Sequence, residues 1–128
     1  MKTILSFMVG LVAISALLSG ILMVIRPDGS LLGIPLSLLD TTPIHDYSIP
    51  GVLLSLLVGG IHGAALVLLV LNKPAKFTLS VVAGLVLTGW ILIQIVLIHQ
   101  INWLHLTFLG MGLLIILLGF QLKGRWVL

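Results

Sequence analysis

Residues Gly51–Leu71 read GVLLSLLVGGIHGAALVLLVL, an apolar run with no charged side chain and one ionisable group, His62. At 1.5 Å per residue, a helix of this length crosses a hydrocarbon core of roughly 30 Å. It lacks the polar stripe of a surface amphipathic helix, so it reads as a membrane span. Three more stretches share this character: Thr3–Ile25, Phe77–Ile98 and Trp103–Leu122. The pattern predicts an all-α integral membrane protein, a four-helix transmembrane bundle forming a single domain over residues 1–128.

Lys2 followed by an apolar run, with Ser15-Ala16 and Ser19-Gly20 beyond it, has some features of a secretory signal. A signal's apolar region is about 7–15 residues, whereas this run continues through Ile21–Ile25, so it is read as a retained span.

Composition agrees with a membrane residence. The 128 residues are 60% hydrophobic and 7% charged, against about 25% charged in an ordinary soluble domain. Mean hydropathy is +1.37. A soluble globular enzyme and a disordered tail are both excluded. With no cysteine, the chain has no disulfide, thiolate nucleophile or Cys-ligated metal. The pI near 9.8 reflects six scattered basic residues against three acidic ones, which make no phosphate-binding stripe, so nucleic acid is not an expected partner.

Charge asymmetry between the loops predicts orientation. Lys2, Lys73, Lys76, Lys123 and Arg125 fall on one side, and Arg26 with Asp28, Asp40 and Asp46 on the other. Lys and Arg accumulate in cytoplasmic loops, so both termini and the Asn72–Lys76 loop are expected to face the cytoplasm. Trp126, Trp103 and Tyr47 lie at levels suited to the interfacial aromatic belts. The short connections at Asn72–Lys76 and His99–Asn102 make the last three spans antiparallel neighbours. No internal repeat is evident.

The long outer connection, residues 27–50, is the most individual segment. Pro27-Asp28-Gly29-Ser30 signals a turn, and Leu31–Leu39 is too apolar for a solvated loop and too short to span. It predicts a short interfacial or re-entrant helical cap, starting at Ser30 or Gly33 with Pro35 in its first turn and stopped at Asp40–Pro43. Ser48-Ile49-Pro50 then leads into the second span. The cap reads as a packed lid or, alternatively, as a gate.

Polar groups inside hydrocarbon are costly, which makes each a candidate site. His62 lies near the midplane among Gly59, Gly60 and Gly63. It could bond a Ser or Thr on another helix, or serve a ligand. Met111 sits at a similar depth, and His/Met is an axial pair for haem. Thr88, Trp90 and Gln94 add polar atoms to the third span, and Trp90 and Gln94 share a face. Together with His62 and His105 they are the candidate ligand-binding set, suited to the polar head of a quinone or lipid. At the outer rim, His45, Asp46, His99 and His105 form a candidate metal group by composition alone. The alternative there is a hydrated rim in which Arg26 pairs with Asp28 or Asp46.

The stretches Pro27-Asp-Gly-Ser-Leu-Leu-Gly-Ile-Pro-Leu36, Thr42-Pro43, Ile49-Pro50-Gly51 and Gly89-Trp-Ile-Leu-Ile-Gln94 resemble those of a widespread group of small bacterial four-span membrane proteins of uncharacterised activity. The resemblance covers most of the chain and implies a bacterial inner membrane. Small multidrug transporters depend on an embedded glutamate, and this chain has none. Quinone-coupled disulfide enzymes need cysteines. DoxX-type proteins share size and span number without a matching motif.

The leading functional expectation is a non-catalytic binding or accessory protein. Its partner would be an apolar ligand, a lipid, another membrane protein or a second copy of the chain, and no cofactor is required. The alternatives are a small oligomeric transporter or channel, and a histidine-based metal or haem protein. The site is expected in the outer half, beneath the cap, with Trp90, Gln94 and His105 as its lining.

Overall fold

The computed structural model describes residues 2–30, 36–39, 42–43, 45–98 and 103–123. Four helices are long and apolar enough to cross a membrane, which makes this a multi-pass membrane protein. The first span is Lys2–Ile25, the second Ser48–Val70, the third Lys76–Ile98 and the fourth Trp103–Leu122. Among the described residues every regular element is helical. In hydrocarbon a helix satisfies its own backbone groups, and the charged residues within these four helices, Lys2 and Lys76, each stand at the first position.

The second span begins three residues before the apolar count that starts at Gly51. Asp46 explains the early start: its carboxylate accepts the Ser48 N–H at 3.0 Å and the Ser48 hydroxyl at 2.6 Å. Pro50 sits in the first turn, where an N–H has no helical partner to lose. The Tyr47 N–H donates to the Pro27 carbonyl at 2.9 Å, tying the ends of the first two spans together.

Midway, the second span widens into π-helical turns over Leu54–Gly59 before resuming as an α-helix at Gly60. The apolar pattern carried no sign of this. Within the wide segment, the Ser55 hydroxyl donates back to the Gly51 carbonyl at 2.9 Å. Such back-bonding loosens a helix locally.

The core is a seam along the bundle axis. Leu5, Val9, Val12 and Ala16 of the first span meet Val58, Ala65 and Leu69 of the second and Ala83, Leu87 and Ile91 of the third. The fourth span adds Ile115 to these buried residues. It packs mainly on the third, through a contact at Gly84 and Gly112 so close that neither has room for a side chain. Large apolar side chains such as Phe7, Leu56 and Val70 are at least 70% exposed. Outside a bilayer such a surface would aggregate.

The cap region contributes a 3₁₀ turn at Leu36–Leu39, and the Thr42 N–H and hydroxyl both bond the Leu39 carbonyl, at 2.9 and 2.8 Å. Residues 31–35, where a cap helix was expected to start, lie outside the described residues. Leu39 is buried against Met23 and Tyr47, so the turn closes onto the first two spans. Tyr47, at 4% exposure, packs into this cluster.

Candidate functional site: a capped cleft and a sealed histidine

Beneath the cap, between the second and third spans, lies a cleft of about 140 Å³. That is close to the size of an engineered apolar cavity, about 150 Å³, that takes up benzene. Met23, Leu39 and Tyr47 form its buried floor. Ile49 and Leu53 on one helix and Ile93 on the next line it too, and these three are 63%, 41% and 57% exposed. These exposed apolar side chains form the rim of the opening.

Trp90 and Gln94 stand on the third-span wall, one helical turn apart. Neither the indole N–H nor the amide is bonded to any other described residue. A half-buried amide with no protein partner leaves hydrogen-bonding capacity for a guest. Thr42, the other small polar residue there, already spends its hydroxyl on Leu39.

The remaining candidates lie elsewhere. Thr88 donates to the Gly84 carbonyl of its own helix at 2.8 Å and packs against Gly112, in the seam between the third and fourth spans. His105 is half-buried near the start of the fourth span and does not line the cleft. His45 is exposed, and Asp46 is engaged with Ser48. His99 lies outside the described residues, and among those described no three histidines or carboxylates converge on a metal position.

His62 is fully buried, three residues beyond the end of the π-helical turns at Gly59. Its Nδ1 lies 2.7 Å from the Val58 carbonyl, four residues back on the same helix. A carbonyl can only accept, so Nδ1 carries the hydrogen and Nε2 presents a lone pair. Nε2 is buried with no partner among the described residues. The expected bond to a Ser or Thr of another helix is replaced by this bond within the span. His62 does not line the cleft beneath the cap.

Reasoning from sequence missed Met23, Leu39 and Tyr47 as the cleft floor. Each is an ordinary apolar or belt residue until the cap folds back over it. No family model matches this chain, and no curated protein or solved structure matches it.

Proposed function

We propose that this protein is a non-catalytic membrane-embedded binding or accessory protein. Its guest is an apolar molecule with a small polar head, such as a quinone or a lipid, drawn sideways from the outer leaflet. The observation carrying this reading is a cleft with an exposed apolar rim in which, among the described lining residues, Trp90 and Gln94 are the polar side chains with no bonded partner. A mostly apolar concavity with a few polar groups that fix orientation is the usual build of a small-molecule site. The volume suits a single ring or headgroup, with any tail left in the bilayer. The distribution of basic residues supports a cytoplasmic location for both termini. The resemblance to small bacterial four-span proteins supports the inner membrane as its site.

A second reading, a small transporter, draws on His62. An ionisable group at mid-membrane beside π-helical turns is a feature of moving parts. In that reading the spans part to expose Nε2 during the cycle.

Mass spectrometry of an organic extract from protein purified in mild detergent tests the binding function. The expected result is one species retained near one copy per chain. An extract that merely mirrors the bulk membrane lipids counts against it.

A further inference from the structure

At the opposite end of the bundle, the second span stops in a built C-terminal cap. The Lys73 N–H reaches the Leu68 carbonyl at 2.9 Å and the Asn72 N–H reaches Leu69 at 3.3 Å, with Asn72 left-handed at φ 56°. This is a Schellman arrangement, in which Asn is one of the few non-glycine residues tolerated at that position. It holds the Asn72 side chain in a fixed place. Two ammonium groups converge there: Lys76 Nζ donates to Asn72 Oδ1 at 2.6 Å, and Lys2 Nζ to the same oxygen at 3.2 Å.

Two like charges within about 6 Å, sharing one neutral oxygen, repel each other. The three acidic residues of the chain, Asp28, Asp40 and Asp46, all fall in the connection between the first and second spans and none in this loop. The exposed Lys73 adds a third charge in the same loop. The third span begins at Lys76, so the positive end of its dipole points to the same place.

We propose that Lys2, Asn72 and Lys76 form a headgroup site for the phosphate of an anionic phospholipid, with Lys73 at its edge. A membrane lipid is favoured over free phosphate because the flanks of the site are bare hydrocarbon-facing side chains. Ile4 and Phe7 on the first span are 52% and 72% exposed, and Val70 and Leu71 on the second are 71% and 59% exposed. The phosphate bridges the ammonium groups while the acyl chains lie along these residues.

Native mass spectrometry of delipidated protein, titrated with phosphatidylglycerol, phosphatidylcholine and inorganic phosphate, tests the site. Phosphatidylglycerol is expected to bind about tenfold more tightly than phosphatidylcholine. The preference should shrink several-fold in a Lys2→Gln/Lys76→Gln variant and survive in Lys2→Arg/Lys76→Arg. Gln94→Leu, at the capped cleft, should leave it unchanged. Equal binding of the two lipids by the wild-type protein overturns the proposal without recourse to any variant. So does an undiminished preference in the double glutamine variant, or a preference lost in Gln94→Leu. Displacement of phosphatidylglycerol by low-millimolar inorganic phosphate would overturn the lipid assignment.

Discussion

Gly20 of the first span and Gly51 of the second meet backbone to backbone. A Cβ on Gly20 would stand 2.5 Å from the Gly51 carbonyl oxygen, and one on Gly51 would stand 2.7 Å from that of Gly20. Without a hydrophobic effect between helices, spans associate through such close van der Waals contact. Gly20→Ala should therefore force the helices apart and cost about 1–3 kcal/mol. Gly63→Ala, where nothing lies within 4 Å of the added methyl, should be neutral or slightly stabilising. Thermal unfolding in detergent compares the two directly, and equal midpoints would contradict the packing.

For His62, removal of the imidazole is expected to be tolerated if its volume is replaced. The buried, unpartnered Nε2 is a standing cost that an apolar side chain of similar size removes. His62→Leu should thus match or exceed the wild type in stability, while His62→Ala should lose about 2–4 kcal/mol through the cavity it leaves. A His62→Leu protein as unstable as His62→Ala would mean that Nε2 has a partner.

Retention of the guest should depend on the third-span wall and on free volume. Gln94→Leu is expected to abolish co-purification of the bound species while leaving the helical circular dichroism unchanged. Leu53→Trp, which fills the cleft from its rim, should have the same effect by exclusion. If both variants retain the species, its site is elsewhere.

Asp46 offers a pH readout. The hydroxyl and backbone N–H of Ser48 stabilise its carboxylate and hold its pKa below the ordinary value. A folded-state pKa that is lowered contributes stability above the unfolded value, lost as pH falls through the folded pKa. The carboxyl carbon shift of Asp46 should therefore titrate below about 3.9. A midpoint at or above that value would show that the early start of the second span has another cause.

Sidedness can be checked by labelling. A cysteine from Ser30→Cys should react with a membrane-impermeant thiol reagent from outside, and one from Ala75→Cys should not. Both positions are exposed, so burial cannot account for a difference. The reverse pattern would invert the proposed orientation.

What was legible in the sequence is what accumulates along the chain. Four spans follow from some twenty consecutive uncharged residues each, because transfer into hydrocarbon is a sum over neighbours in sequence. The antiparallel order of the last three follows from loops too short for anything else. Trp90 and Gln94 stood out because a polar group at such depth has few reasons to be there.

Tertiary structure alone decided which faces meet. His62 and Gln94 are both polar residues inside spans, yet one is sealed against its own helix and the other opens on a cleft. Nothing local separates them, since the outcome depends on the rotation of each helix against its neighbours. That rotation is set by the interlocking of distant pairs such as Gly20 with Gly51 and Gly84 with Gly112. The burial of Tyr47 likewise comes from contacts across elements. Hydropathy measures each residue's affinity for the bilayer and says nothing about which partner excludes the lipid. The packing between helices does that.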